Sequence, residues 1–547
     1  MAQQLGGQPL IVLSEESQRT SGRDAQSMNI TAGRAVAESV RTTLGPKGMD
    51  KMLVDSSGEV VITNDGVTIL KEMDIDHPAA TMVVEVAESQ EDEVGDGTTT
   101  AVVIAGELLK RAEELIEQDI HATTLTQGFR QAAGAVESFL REKATAVGPE
   151  DDEVLRQIAA TAMTGKGAES AKDQLAELVV EAVQAVAEED GINLDDVQIR
   201  TQAGGSIDDS SLIDGVIVGK SRVNENMPRW VTDANVAVLA SALEFEETEV
   251  SAEVNVTDPD QLQEFIEQEK ADVRAKVDAL IDAGADVVFC GEAISDFAQH
   301  HLAQHDVLAV RRVSDDDLRN VARATGARIV HDIGGIEAED LGYAGRVEER
   351  EVGDSDEIFV EDVEDGRAVA LYLRGGTEHV IDEVERAIVD ALGVVKVTLE
   401  DGAVLPGGGA PETALAMELR DLAESVGGRE QLAVEAFADA LEVIPRTLAE
   451  NAGHDPIDSL VALRSAQDAG SFADGLDAYS GDVADMGEAG VYEPLRVKTQ
   501  AVESATDAAV MILRIDDVIA AGDLAASTDD DDDEPAAGGP GGMGGMM

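Results

Sequence analysis

The chemically richest stretch of the sequence is Gly95-Asp96-Gly97-Thr98-Thr99-Thr100, where two glycines bracket a carboxylate and three hydroxyls follow. An apolar run at helical spacing opens at Val102, so the threonines are predicted in the first turn of a helix. Unpaired backbone N–H groups and the helix dipole favour phosphate oxygens there, and Asp96 would hold the divalent metal of a polyphosphate. The alternative is a capping turn, in which Asp96 and Thr98 only satisfy the helix start.

Two more turns rich in glycine lie within the first hundred residues. Gly45-Pro46-Lys47-Gly48 ends a helical pattern that begins at Ala25, and its glycines and lysine would also suit a phosphate. Asn64-Asp65-Gly66 follows a strand predicted for Glu59–Thr63 and precedes a helix from Val67. Asn-Asp-Gly has an ordinary explanation as a turn. Three such turns, each beside a helix, are nevertheless more than turn formation requires.

The two common nucleotide-binding fingerprints are both excluded. Thr164-Gly165-Lys166-Gly167 is not a Walker A loop, because residue 160 is alanine and no serine or threonine follows the lysine. The stretch from Gly95 to Thr100 lacks the third glycine of a dinucleotide-binding motif.

Composition limits the class of protein. A chain of 547 residues is too long for one core and implies about three or four domains. The single cysteine, Cys290, excludes an internal disulfide and a cysteine-built metal site. No apolar run reaches the length of a membrane span and no signal peptide is recognisable, so we expect a cytoplasmic protein without a membrane partner.

The sequence is strongly acidic, with 40 Lys plus Arg against 112 Asp plus Glu and a net charge of −72. Self-repulsion of this size destabilises a compact state in dilute buffer but is screened at high salt. The acidic residues are spread through every segment, which indicates adaptation to a salt-rich cytoplasm. A docking surface for basic partners would instead predict a localised patch, and nucleic acid is not an expected ligand.

The middle of the chain has the pattern of a separate α/β unit. Val287–Cys290 and Val307–Val310 are predicted strands, with a helix from Glu292 to about His305 between them and a helix capped by Ser314 after them. Another helix is predicted to begin at Pro259. This alternation indicates a strand layer faced by helices.

Three histidines on the helix after Glu292 raise the question of a metal site. His301 and His305 are one turn apart, and His300 adjoins them. No acidic ligand motif such as HExxH accompanies them, so we interpret them as surface residues of a helix.

Several motifs occur in the order seen in one protein family. These are Thr42–Lys51, Thr63–Gly66, Gly95–Thr100 and Gly407-Gly408-Gly409-Ala410, and the similarity runs from about Gly6 to Asp523. The sequence closely resembles the group II chaperonins of archaea, the thermosome family related to eukaryotic CCT (TRiC), here from a halophile.

The resemblance implies an ATPase with an identifiable site. Asp65 and Asp390 would be the catalytic carboxylates that orient the attacking water, and Asp96 would hold Mg²⁺. ATP itself would be bound by Leu44, Gly45, Pro46, Asn64, Gly97, Thr98, Thr99, Thr100, Lys166, Gly408 and Glu493. Phosphoryl transfer depends mainly on positioning and charge neutralisation, which carboxylates, a metal and donor-rich loops supply.

Asp390 has a competing structural explanation. Its neighbours Val384, Ile388 and Val395 have the spacing of one apolar helix face, and Asp390 lies beside that face. Arg386 is one turn back, so a surface ion pair would explain Asp390 without catalysis.

The resemblance also implies a multidomain α and α/β architecture, the chaperonin fold. A mostly helical equatorial ATP-binding domain would comprise residues 1–147 and 404–523, an intermediate hinge domain 148–216 and 370–403, and an α/β apical domain 217–369. Residues 524–547 would be a disordered acidic tail rich in Gly and Met. Segment 247–275 would form a helical protrusion that acts as a built-in lid, so no separate lid co-chaperonin is expected.

The implied partners are non-native protein clients and further subunits. Copies of this chain or sister subunits would form a back-to-back double ring, whose chamber closes on ATP hydrolysis. Two alternatives are a stand-alone metabolic ATPase or kinase, and a binding scaffold that does not hydrolyse ATP. A scaffold would not need Asp65, Asp96 and Asp390 together.

Overall fold

The computed structural model describes residues 18–54, 56–58, 60–169, 171–188, 191–244, 259–353, 355–363 and 368–520. Residues 247–258 of the predicted protrusion and the predicted acidic tail lie outside these residues. The domain boundaries given above stay predictions.

Helices make up most of the described chain. They are α1 Arg23–Arg41, α2 Gly66–Glu72, α3 Pro78–Val94, α4 Thr98–Glu117, α5 Ala122–Lys143, α6 Asp152–Met163, α7 Lys172–Ala185, α8 Pro259–Ala283, α9 Asp296–Gln304, α10 Asp315–Thr325, α11 Glu378–Asp401, α12 Ala410–Ser425, α13 Glu430–Leu441, α14 Val443–Asn451, α15 Pro456–Asp468 and α16 Leu495–Leu513.

The strands are mostly short. They are β1 Gln18–Ser21, β2 Lys51–Val54, β3 Val60–Thr63, β4 Thr145–Ala146, β5 Ala187–Glu188, β6 Gly191–Ile192, β7 Val197–Ala203, β8 Ser211–Ile213, β9 Gly215–Val218, β10 Trp230–Leu239, β11 Val287–Cys290, β12 Leu308–Val310, β13 Ile329–Val330, β14 Gly342–Val352, β15 Ser355–Glu361, β16 Val369–Gly375, β17 Ala403–Pro406, β18 Asp474–Leu476, β19 Val483–Asp485, β20 Tyr492–Pro494 and β21 Asp517–Ala520.

The largest apolar core joins the two ends of the chain. Aliphatic residues of α1 to α5 pack there against those of α12, α13 and α16. Phe129 of α5 and Phe437 of α13 meet edge to face, with ring centroids 5.7 Å apart. Because aromatic residues are only 3% of the sequence, burial of Val, Leu, Ile and Ala supplies most of the hydrophobic stabilisation here.

A second core is built from α6, α7 and α11 with the three-stranded sheet β7-β16-β8. Strands β16 and β7 are parallel and pair along their whole length, from Val369 opposite Val197 to Gly375 opposite Ala203. Helix α11 packs in this core. It also contacts the turn between α3 and α4, so it connects the second core to the first.

The middle of the chain forms a sheet in the order β12-β11-β10-β14-β15-β9, with β13 paired to β10. Strands β10, β11 and β12 are parallel. Successive residues of β11 face opposite cores, because Val287 and Phe289 pack on the side of α10 whereas Val288 and Cys290 pack on the side of α8 and α9. The α/β pattern of this segment is therefore confirmed.

Local predictions in this segment differ from the structure mainly at helix ends. The strand Val287–Cys290 and the cap at Ser314, whose Oγ accepts a hydrogen bond from the Asp317 N–H, are both present. The helix expected from Glu292 begins only at Asp296, because Ser295 caps it and donates to the Leu243 carbonyl.

Within the described ranges, no helix is long and apolar enough to span a membrane. His301 of α9 and His305, the residue after α9, make local contacts: His301 Nε2 lies 2.8 Å from Asp278 Oδ1, and the His301 and His305 rings meet edge to face. No set of three potential metal ligands occurs anywhere in the part of the chain that is described.

Candidate functional site

A cavity of about 440 Å³ opens where the two ends of the chain meet the second core. Its lining includes every site residue proposed from the sequence except Asp390, namely Leu44, Gly45, Pro46, Asn64, Asp65, Asp96, Gly97, Thr98, Thr99, Thr100, Lys166, Gly408 and Glu493. A larger cavity of about 710 Å³, beside β8 and β15, contains none of them. Chemistry rather than size therefore identifies the site.

The turn between α3 and α4 presents backbone donors to this cavity. Gly97 has φ +82° and is the N-cap of α4, and no side chain caps this helix. The alternative in which Asp96 and Thr98 serve only as capping groups is therefore not what the structure contains. The first N–H groups of α4 remain available to an anion at the positive end of the helix dipole.

A buried glutamine fixes this turn. Gln90 of α3 is fully buried, and its Nε2 donates to the Asp96 carbonyl at 2.8 Å and to the Val497 carbonyl at 3.1 Å. One side chain thereby ties the turn to the start of α16, which forms another wall of the cavity. Sequence analysis missed Gln90, because nothing in its local pattern indicates contact with a residue about 400 positions away.

The turn at Asp65 is fixed by one contact of Asp65 and one of its neighbour Asn64. Asp65 is the N-cap of α2, and one of its carboxylate oxygens accepts a hydrogen bond from the Thr68 N–H at 2.7 Å. The neighbouring Asn64 donates to the Gly165 carbonyl, which lies in the turn after α6. The turn Asn64-Asp65-Gly66 is thus an ordinary helix start and also part of the cavity wall.

Asp390 lies beside the cavity, on the buried side of α11. Asp390 is only 4% exposed, which excludes the alternative explanation of a surface ion pair with Arg386. Lys166 Nζ donates to Asp390 Oδ2 and lies 3.6 Å from Asp96 Oδ1. Lys166 therefore connects Asp390 with the turn between α3 and α4, although the two aspartates are almost 300 residues apart in sequence.

Two glycines allow α11 to lie directly against the turn between α3 and α4. A Cβ atom on Gly393 would lie 3.0 Å from the Gly95 Cα, and a Cβ atom on Gly95 would lie 3.1 Å from the Gly393 Cα. The backbones of α11 and of the turn after α3 are in direct contact there. Asp390, almost one helical turn before Gly393, is positioned by this contact.

The charges around Lys166 are unbalanced. Burial raises the pKa of Asp390 to about 7, with Lys166 opposing this shift and Asp65 and Asp96 adding to it. Burial likewise raises the pKa of Glu91 to about 9, and Asp390 and Asp65 contribute. Burial alone would lower the pKa of Lys166, but Asp390 and Asp96 raise it above its ordinary value. One lysine thus faces four carboxyl groups, an excess of negative charge that a cation would relieve.

The cavity wall contains a buried lysine that sequence analysis also missed. Lys498, on the first turn of α16, lies 2.6 Å from Glu493 Oε2 and 2.8 Å from Glu412 Oε1. Tyr479 also lines the cavity, and Lys47 Nζ lies 4.8 Å from its ring centroid. The spacing of Glu493 and Lys498 predicts no particular contact.

Comparison with known proteins identifies the family. The profile of the TCP-1/cpn60 chaperonin family matches residues 36–523. The chain belongs to this family. It is therefore a subunit of an ATP-dependent chaperone and an ATPase, as expected from its motifs.

The chain is similar to archaeal chaperonin subunits over nearly its whole length. It is 69% identical to thermosome subunit alpha of Halobacterium salinarum over 525 residues, 96% of this chain and 93% of the relative. It is 68% identical to thermosome subunit 1 of Haloferax volcanii over 519 residues, 95% of this chain and 93% of the relative. The expected resemblance to thermosomes of halophiles is confirmed.

A solved structure supports the chaperonin fold. The open-state monomer of a group II chaperonin from Methanococcoides burtonii is 44% identical, with a TM-score of 0.58 over 77% of this chain and all of that one. The multidomain α and α/β fold class is thereby confirmed. These relationships do not support the alternatives of a stand-alone metabolic ATPase or kinase and of a non-hydrolysing scaffold.

Proposed function

We propose that the 440 Å³ cavity is the ATPase site of this chaperonin and that Asp390 is its catalytic carboxylate. The observation that carries the proposal is the contact of Lys166 with both Asp390 and Asp96 at the edge of a cavity lined by the phosphate-binding turns. A carboxylate, a lysine and free helix N–H groups thus face one space of the size that suits a nucleotide.

The proposed nucleotide contacts follow the walls of the cavity. Backbone and hydroxyl groups of Gly97, Thr98, Thr99 and Thr100 would bind the phosphates, because the uncapped start of α4 supplies donors there. Asn64 and Lys166 would lie near the γ-phosphate. The residues Leu44, Gly45 and Pro46 would form the wall beside the nucleotide, and Gly408 and Glu493 would lie near the base and ribose.

Asp96 is proposed to hold Mg²⁺. Hard carboxylate oxygen is a ligand that Mg²⁺ prefers, and Mg²⁺ commonly binds through one or two carboxylates together with substrate phosphates. The excess of carboxylates over cations around Lys166 fits such an ion. When bound, the ion would neutralise charge on the phosphates that react.

Asp390 and Asp65 would orient the attacking water and accept its proton. The raised pKa of Asp390, about 7, suits a group that accepts a proton near neutral pH. Lys166 would keep the Asp390 carboxylate directed at the cavity through its hydrogen bond. Hydrolysis would thus depend on α11 staying against the turn between α3 and α4, which links the chemistry to movement of the hinge.

The assembled particle is proposed to be a back-to-back double ring in the cytoplasm. Ring-forming subunits that act on client proteins are the general property of the family. We further propose that non-native proteins bind to the middle α/β unit, and that segment 247–275, whose residues 247–258 lie outside the described ranges, closes the chamber without a separate co-chaperonin.

The test of the proposed site separates binding from hydrolysis. Asp390→Ala should lower kcat roughly 10²- to 10⁴-fold, because the group that accepts the proton is removed. The affinity for ATP, measured by isothermal titration in high salt, should remain within a few-fold. Asp196→Ala is the matched control, since Asp196 is 3% exposed and paired with Arg323 away from the cavity. Undiminished hydrolysis by Asp390→Ala would end the assignment.

A further inference from the structure

The end of α14 is joined to the loop that follows α1. Asn451, the last residue of α14, donates through its Nδ2 to the Arg41 carbonyl at 3.1 Å and to the Leu44 carbonyl at 2.9 Å. The loop continues through Gly45 and Pro46, which line the cavity together with Leu44. We call Leu44, Gly45 and Pro46 the wall segment. A side chain outside the cavity lining therefore holds the backbone of a cavity wall.

A carboxamide suits these two acceptors. Its nitrogen carries two hydrogens, so a single atom can donate to two carbonyls at once. A hydroxyl group has one hydrogen and a carboxylate has none, so neither serine nor aspartate could replace both hydrogen bonds. The residue type at position 451 therefore decides whether the loop is held, and the isosteric acid would repel both carbonyl oxygens.

The wall segment is packed against two other elements. Leu448, on the preceding turn of α14, also lines the cavity, and a Cβ atom on Gly45 would overlap its side chain. Gly165, in the turn after α6, makes the second contact. A Cβ atom on Gly165 would lie 3.0 Å from the Gly45 carbonyl oxygen and 3.3 Å from the Pro46 Cα. The place of the wall segment is therefore set by α14 and by the turn that carries Lys166.

The end of α1 has a further tie to α14 that does not involve Asn451. Arg41 Nε donates to Thr447 Oγ1 at 3.0 Å, and Arg41 Nη2 donates to Glu450 Oε2 at 2.6 Å. Among the residues that the structure describes, the Leu44 carbonyl accepts only the hydrogen bond from Asn451. Loss of that side chain would thus leave the end of α1 in place and release the wall segment.

The groups proposed for the chemistry have supports of their own. Lys166 donates to Asp390, and Asn64 donates to the carbonyl of Gly165, the residue before Lys166. Neither contact involves α14. A change at Asn451 should therefore alter how tightly ATP is held more than how fast bound ATP reacts.

We propose that Asn451 is a positioning residue for ATP, which holds the Leu44 carbonyl so that the wall segment keeps its place against the nucleotide. Asn451 lies outside the cavity lining and acts only through this backbone. The inference rests on the proposed ATPase site, and it adds to that site a residue of another element.

The experiment measures ATP hydrolysis by the assembled particle in high salt as a function of ATP concentration. Asn451→Asp places an acceptor where the donor was, so the KM for ATP should rise roughly tenfold. The kcat at saturating ATP should fall less than about twofold, because the wall segment contributes to binding throughout the reaction. A merely structural role for Asn451 would lower the melting temperature or kcat and leave the KM unchanged, which would overturn the inference. If Asn451→Asp does not assemble, Asn451→Ser, which keeps one donor, supplies the same test with a smaller rise in KM.

Gln174→Glu is the matched control. Gln174 Nε2 also donates to two backbone carbonyls, those of Asp208 and Ser210 at 3.0 Å and 3.3 Å, and it lies outside the cavity lining. The same exchange of an amide for an acid should leave the KM for ATP unchanged there. An equal rise in KM in Gln174→Glu would show a general effect of loosened loops and would overturn the role of Asn451.

A substitution in the wall segment itself separates this inference from the proposed site. Gly45→Ala adds a Cβ atom against Leu448 at a residue with φ +82°, so it displaces the wall segment directly. It should raise the KM for ATP at least as much as Asn451→Asp. An unchanged KM in Gly45→Ala would contradict the proposed ATPase site. A raised KM in Gly45→Ala with an unchanged KM in Asn451→Asp would overturn only the role of Asn451.

Discussion

Single residues in the ATPase site act through partners that are distant in sequence. Lys166 joins Asp390 to Asp96, and Gln90 joins the turn after α3 to α16. Residues outside the cavity lining follow the same rule. Glu442, at the start of α14, is 3% exposed and accepts hydrogen bonds from Arg420 at 2.9 Å and Arg464 at 2.7 Å.

Glu442 allows a prediction about stability and pH. Burial alone would raise the pKa of Glu442, but the hydrogen bonds of Arg420 and Arg464 outweigh it and hold the pKa below its ordinary value. Because the folded-state pKa is lowered, the ion pairs contribute fully above the ordinary glutamate pKa of about 4.3 and are lost as the pH falls below it. Glu442→Gln should therefore lower the melting temperature clearly at pH 7, by removing a carboxylate worth about 3 kcal/mol.

The predicted signature is that the gap in melting temperature between wild type and Glu442→Gln narrows from pH 7 to pH 3.5. Asp439, which also pairs with Arg420 at 2.7 Å, is present in both proteins. Glu137→Gln is the matched control, because the Glu137–Arg141 pair is about two-thirds exposed and should give almost no gap at either pH. A gap that stays constant with pH would contradict the account.

At the scale of elements, the approach of α11 to the turn after α3 decides where Asp390 lies. Gly393→Ala should improve helix propensity yet force the two backbones apart by a few tenths of an ångström. We expect kcat to fall several-fold while the melting temperature changes little. Gly134→Ala, in α5, is the control: the Cβ position there is open, so this substitution should lower neither kcat nor the melting temperature. Full activity of Gly393→Ala in a steady-state assay would contradict the role of this contact.

Elements were predictable from the sequence where the pattern is local. The strand Val287–Cys290 has a continuous apolar run, and the cap at Ser314 has the usual residue type, so both were found. The start of α9 was placed too early, because the cap at Ser295 depends on Leu243, which is remote in sequence. The motifs named the cavity residues through resemblance, whereas Gln90 and Lys498 escaped notice because their contacts are formed only by the folded chain.

At the scale of the whole molecule, charge sets the conditions for stability. The net charge of −72 produces repulsion that reaches about 10 Å at 0.1 M salt and roughly 3 Å at 1 M salt. The melting temperature should therefore rise steeply between 0.1 M and 2 M KCl. An equal osmolality of glycerol is the control and should not reproduce the rise. Full stability in dilute buffer would remove the interpretation of the acidic composition as adaptation to salt.

The central claim is that acidic and glycine-rich turns from both ends of the chain surround one magnesium-bound triphosphate. The most direct measurement is a cryo-EM map of the assembled particle with Mg²⁺, ADP and beryllium fluoride in high salt. We predict density for the nucleotide in the 440 Å³ cavity, with the metal at Asp96 and Asp390 within hydrogen-bonding reach of the γ-phosphate mimic or its water. Nucleotide density elsewhere, or an Asp390 that stays remote from the mimic in every subunit, would contradict the account.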